Sequence, residues 1–159
     1  MNRNVLRALA VVVILGLAAG VGVLFHQYRQ NERTEQARTD AVTAASAQAV
    51  AMLAYDFGGV DQQLTSAANG LTGDFKDEYS ALVTSVIAPG AKEKSLTVQV
   101  TVQGAAVVDA APDTATVLLF LNQITTSSDA PDAASSGSRV RMSMENVDGR
   151  WLVSGLEPI

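Results

Sequence analysis

The 159-residue sequence predicts an α+β domain carried on a membrane anchor. Three observations support this. Ala8 to Phe25 run eighteen positions without a charged or strongly polar residue. The next seventy or so residues repeat their apolar positions at helical spacings of three and four. From Leu96 onward the period falls to two, the signature of half-buried strands. Helices come first and strands second, so the helices are expected to pack on one face of an antiparallel sheet.

At ~1.5 Å rise per residue, the apolar run makes a helix of roughly 27 Å, close to the ~30 Å hydrocarbon core of a bilayer. Val5 and Leu6 extend it past Arg7, whose long side chain can snorkel to the headgroups. Leu17-Ala18-Ala19 would be a poor cleavage site, and the apolar run continues through Val21, Val23, Leu24 and Phe25. That is too long for a cleaved signal with its ~7–15 apolar residues. The chain has no cysteine and hence no lipobox. Arg3 and Arg7 precede the span, while Arg29, Arg33 and Arg38 follow it, so the positive-inside count is nearly balanced. The very short leading tail argues for a cytoplasmic N-terminus and a domain outside the cell membrane. Gly16 and Gly20 form a GxxxG pair, a spacing that lets two membrane helices approach closely. The expected division is a tail and anchor over 1–26, a helical stalk over 27–40 and an extracytoplasmic domain over 41–159.

Gln27 to Ala54 contains good helix formers and no Gly or Pro. Its first part is polar all round. Beyond Asp40, Val42, Ala45, Ala49, Met52 and Leu53 mark an apolar face, and Phe57-Gly58-Gly59 ends the helix. A second helix is expected over Asp61 to Ala68. A third follows Thr72 as N-cap, with Asp74 at its positive end and Phe75, Tyr79, Leu82 and Val86 as its inward face. Pro89-Gly90 is expected to stop it.

Leu96, Val98, Val100 and Val102 alternate with polar residues as the first strand, with a bend or bulge around Gly104. Thr114 to Thr125 is apolar on both faces at Val117 to Leu121 and should be central. Thr126 to Ser138 reads as a polar, exposed loop. Val140, Met142 and Met144 alternate along a third strand. Asp148-Gly149 is a hairpin signal, and Trp151 to Leu156 returns as the fourth strand.

From Asp40 onward six Lys/Arg stand against fourteen Asp/Glu, a net charge of −8. That charge disfavours nucleic acid as a partner. The absence of cysteine excludes disulfides, thiolate metal sites and cysteine nucleophiles. The lone histidine, His26, falls at the end of the membrane helix, away from the domain, so Ser-His-Asp chemistry and histidine metal sites lack their key residue. Asp74, Asp77 and Glu78 share about a turn and a half of helix without the spacing or glycine of a calcium loop, and read as a solvated face. No cofactor or metal is expected. Tyr79 reads as packing with a locally satisfied hydroxyl. Trp151 reads as a core anchor with ligand stacking as the alternative, and Met142 and Met144 either fill the core or line an adaptable apolar concavity. Such a concavity would suit lipid contact.

Leu71-Thr72-Gly73-Asp74-Phe75 with Tyr79, the terminal Gly149-Arg150-Trp151-Leu152-Val153-Ser154 and the anchor together resemble the Mce-associated membrane proteins of actinobacteria. That family belongs to the cone-shaped cystatin/nuclear transport factor 2-like fold. The resemblance implies about three helices packed on a curved four-stranded antiparallel sheet. It also implies a non-enzymatic accessory protein that stabilises or assembles the subunits of an Mce-type lipid transport complex, with the Mce proteins as partners and self-association as a further mode. A similar arrangement occurs in the inner-membrane scaffold subunits of type IV secretion and conjugation systems, the alternative reading. The fold's enzymatic members include ketosteroid-isomerase-type proteins, for which Tyr55, Asp56 and Tyr79 are this chain's only candidates. Tyr79, Met142, Met144 and Trp151 are the candidate cavity or partner-contact residues.

Overall fold

The computed structural model describes residues 3–128 and 133–159, with side chains from Tyr28 onward. Helix α1 (Arg3–Leu53) is unbroken over 51 residues. It is followed by strand β1 (Tyr55–Asp56), helix α2 (Val60–Ala67) with a 3₁₀ turn to Gly70, and helix α3 (Gly73–Leu82). A π-helical turn (Val83–Ile87) leads directly into α4 (Ala88–Lys94). Strands β2 (Thr97–Ala110), β3 (Thr114–Thr126), β4 (Ala134–Val147) and β5 (Arg150–Pro158) complete the chain. The five strands pair antiparallel in the order β1-β2-β3-β4-β5.

Alanine determines how α1 meets the sheet. Ala37, Ala41, Ala45 and Ala49 recur every four residues and are buried, with Met52 closing the stripe. Side chains this short let the helix backbone lie close against the sheet, so the space between the layers is filled by the helix itself. The sheet answers with larger residues: Val117, Leu119, Met142 and Val153 are fully buried, and Met144 is 1 % exposed. Val42 and Leu53, expected on the inward face, are only partly buried at its margin. The packed part of α1 therefore begins at Ala37, inside the stretch read from sequence as stalk.

The sheet has five strands where four were expected. Two residues, Tyr55 and Asp56, are too few to show a period, yet they pair with Val98 and Thr97. Bulges interrupt β2 between Val102 and Gly104 and between Val107 and Asp109. Such extra residues bend and twist a strand, which is what curls the sheet around α1. The polar loop is shorter than expected, because β3 extends to Thr126 and β4 begins at Ala134. Backbone pairing of Ser135, Ser136, Gly137 and Ser138 with β3 needs no apolar side chains, and the Ser135 hydroxyl adds a bond to Asn122 Oδ1 at 3.0 Å.

Pro89-Gly90 does not end the third helix. Proline lacks an N–H and its ring clashes with the carbonyl four residues back, faults that cost little in the first turn of a helix. Here the π turn ends at Ile87 and Pro89 falls in the first turn of α4. The helix ends instead at Ser95, in the left-handed region with φ 50°. The π turn carries one residue more per hydrogen-bonded loop and so shifts the inward face. Val83 is buried while Leu82 and Val86, expected inside, are 48 % and 59 % exposed. Thr72 does stand at the N-cap with extended backbone, without a side-chain capping bond. Asp148 and Gly149 adopt φ of 52° and 81°, the tight hairpin expected between β4 and β5.

Candidate functional site

Tyr79 is brought to the heart of the domain by α3. It is 6 % exposed, and its hydroxyl donates to the Met52 carbonyl oxygen at 3.0 Å. Burial pushes its ionisation up to about 12. The bond ties α3 to the last turn of α1 and engages a carbonyl that would otherwise be an orphan at that helix end. Tyr79 therefore offers neither a free proton donor nor a contact surface. Met142 and Met144 alternate inward along β4 and lie fully within the core.

Tyr55 and Asp56 occupy β1 at the sheet edge, beside an open groove of about 510 Å³ that Gln63, Thr97 and Val98 also line. Partial burial raises the Tyr55 hydroxyl above its ordinary value. Both Asp56 carboxylate oxygens are engaged, one by the Gly58 N–H at 2.9 Å and the other by the Thr97 hydroxyl at 2.8 Å. These bonds hold the short strand and its turn in place. Tyr79 is not part of this groove, so the structure does not bring the three groups of the enzymatic reading together.

Trp151 is half-buried at the opposite end of the sheet. With Arg33, Gln36 and Asp40 of α1, Asp113 of the β2–β3 turn and Asn146 of β4, it lines a cavity of about 320 Å³. The Asn146 N–H donates to the Asp113 carbonyl at 2.8 Å and locks the turn to the hairpin. Sequence reasoning marked Trp151 but not its companions. They come from three distant segments and share no local pattern. Asp74, Asp77 and Glu78 face solvent, and no group of acidic or histidine side chains among the described residues could hold a metal ion.

Two further surfaces stand out. Leu82 at the end of α3 and Val86 in the π turn form an exposed apolar pair, and Phe120 is 43 % exposed on the outer face of β3. From Tyr28 onward, where side chains are described, no helix is long and apolar enough to cross a membrane. The expected span Ala8–Phe25, with Gly16, Gly20 and His26, lies outside the residues whose side chains are described.

The chain is 42 % identical over 146 residues to the Outer membrane protein Rv1973 of Mycobacterium tuberculosis, covering 91 % of this chain and 90 % of that protein. Among solved structures, an IcmL-like type IV secretion system protein from Legionella pneumophila superposes with a TM-score of 0.65 at 16 % identity. That match covers 77 % of this chain and 93 % of the other. The periplasmic domain of DotI matches with a TM-score of 0.63 at 16 % identity, over 74 % of this chain and 91 % of its own. A nuclear transport factor 2-like protein from Salmonella enterica matches with a TM-score of 0.53 at 7 % identity, over 76 % and 91 %. At such identities these structures establish the fold alone: an α+β domain of the nuclear transport factor 2-like kind. The sequence profile of one family covers residues 3–159, and the chain accordingly belongs to the Uncharacterized protein Rv1363c/MT1408-like family.

Proposed function

We propose that this chain is a non-enzymatic, membrane-anchored scaffold subunit of a multiprotein assembly in the cell envelope, its domain on the extracytoplasmic side. The observation that carries the reading is α1: one unbroken helix contains the apolar run Ala8–Phe25 at one end and the buried alanine stripe of the domain at the other. A domain whose core helix is also its tether is suited to holding neighbours at a fixed place relative to the bilayer. The filled space between helix and sheet, and the engagement of Tyr79 and Asp56, support a structural rather than a catalytic role.

The likeness to IcmL-like and DotI domains favours an apparatus of the secretion type, in which this chain would be an inner-membrane scaffold. The name of the mycobacterial relative supports a membrane location. The narrower role in an Mce-type lipid transport complex rests on the segments Leu71–Phe75 and Gly149–Ser154, and is the second reading. Gly16 and Gly20 would pack the anchor against another membrane helix, and the domain's acidic surface would meet a partner with a complementary basic patch.

Crosslinking the full-length chain in native membranes, followed by capture and identification of bound proteins, tests this directly. Stoichiometric recovery of secretion-type subunits supports the main reading, and recovery of Mce subunits replaces it with the second. A chain captured alone, or a purified chain that turns over a steroid or lipid substrate, overturns both.

A further inference from the structure

The cavity beside Trp151 has a lining that the scaffold role does not use. We infer that it is a binding site for the polyhydroxyl group of a sugar, presented either as a free glycan or as the headgroup of a glycolipid.

The argument begins with what the walls offer. Arg33 supplies only donors, Asp40 and Asp113 only acceptors, and the carboxamides of Gln36 and Asn146 supply both. Among the described residues, none of these five side chains has a hydrogen bond or ion pair to another, so the whole set is available to a ligand. A simple anion would meet two carboxylates, and a simple cation, drawn by the one net negative charge of Arg33, Asp40 and Asp113, would leave the guanidinium and the two carboxamide N–H groups unused. A neutral polyol can engage all of them. Each of its hydroxyls both donates and accepts, and so matches a wall of mixed donors and acceptors. Trp151 adds the remaining element. Its indole has an electron-rich face, against which the weakly positive C–H groups of a pyranose ring can lie.

Shape and rigidity agree with the chemistry. A volume of about 320 Å³ suits a mono- or disaccharide and lies at the small end of the ~300–1,000 Å³ typical of ligand pockets. The Asn146–Asp113 backbone bond and the tight Asp148-Gly149 turn fix two walls before any ligand arrives, and α1 forms the third. The backbone of the walls is thus set beforehand, and what binding must still order is the exposed side chains of Arg33, Gln36, Asp40 and Asp113. The site also lies on the part of α1 nearest the expected span, where a glycolipid headgroup would be within reach. That last point alone rests on the anchor reading.

Trp151 is the only tryptophan in the chain, so tryptophan emission comes from this position, which lines the cavity on one side and packs on the core on the other. The full-length protein would be held in phosphatidylcholine nanodiscs, free of any glycoside detergent, and titrated with millimolar maltose and mannose. A parallel sample would carry digalactosyl diacylglycerol in the disc. A saturable change in Trp151 emission with the soluble sugars assigns a free glycan, and a change only with the glycolipid assigns a headgroup. Either response should weaken at least tenfold in Asp40→Ala and in Asn146→Ala, with far-UV circular dichroism unchanged. Silence toward both probes overturns the site, as does a response that survives both substitutions. A response to tri-arginine alone assigns the cavity to a partner's cationic side chain and also overturns it. The membrane crosslinking result is independent of all these outcomes.

Discussion

At the residue scale, the side chains that drew notice in the sequence serve mostly to join elements. Tyr79→Phe removes the bond to Met52 and leaves a buried carbonyl unpaired, a loss of about 1–2 kcal/mol measurable by urea unfolding. The same residue fixes a pH dependence. Its raised ionisation means the unfolded chain loses the tyrosine proton first, near pH ~10, while the folded chain keeps it to about 12. Stability is therefore expected to be intact below that window and to fall as pH rises through it, with a smaller fall in Tyr79→Phe. Gly70 is a second such position. A methyl group there would collide with the Gln48 side chain, whose Nε2 donates to the Ala67 carbonyl at 2.6 Å. Gly70→Ala should cost about 1–2 kcal/mol, because Gln48 must leave that bond. Tyr79's inward position was legible from its helical spacing. The Gln48 contact was not, since it joins residues nineteen apart through a bond no periodicity encodes.

At the scale of elements, the long strands and the Asp148-Gly149 hairpin were legible because alternation and turn chemistry are local. Two features were hidden for physical reasons. A two-residue strand has no period to read, and Tyr55–Asp56 forms only because β2 is already there to pair with it. The π turn was hidden because the spacing of Phe75, Tyr79, Leu82 and Val86 presumes a uniform helix, which the chain abandons at Val83. That shift is testable. Val83→Ala should destabilise the domain by about 2 kcal/mol through lost burial and a cavity. Leu82→Ser and Val86→Ser, at exposed positions, should each change stability by less than about 0.5 kcal/mol. If Leu82→Ser costs as much as Val83→Ala, the inward face has been wrongly assigned. Ala45→Leu tests the closeness of α1 to the sheet: added bulk at a fully buried position should cost about 1–3 kcal/mol by overpacking.

At the scale of the whole molecule, composition revealed more than any motif. The apolar run, the helix-then-strand order and the absence of cysteine outlined an anchored α+β domain, and the described fold agrees on the α+β class. The cavity around Trp151 lay beyond sequence reading, since α1, the β2–β3 turn and the β4–β5 hairpin meet only after the sheet has curled. Deleting residues 8–25 should release the chain from vesicles washed with alkaline carbonate, whereas the full chain should stay with the pellet.

Because α1 runs without interruption from the apolar segment to the sheet, the compass bearing of the domain is locked to the anchor like a flag on a pole. Each added residue between Phe25 and Ala37 would swing every outward-facing surface by about 100° and lift it ~1.5 Å. One inserted alanine should therefore abolish crosslinking to a membrane-embedded neighbour. Seven, close to two full revolutions, should restore the bearing at a lift of about 10 Å, and so bring crosslinking back with a reagent whose arm is longer by that distance.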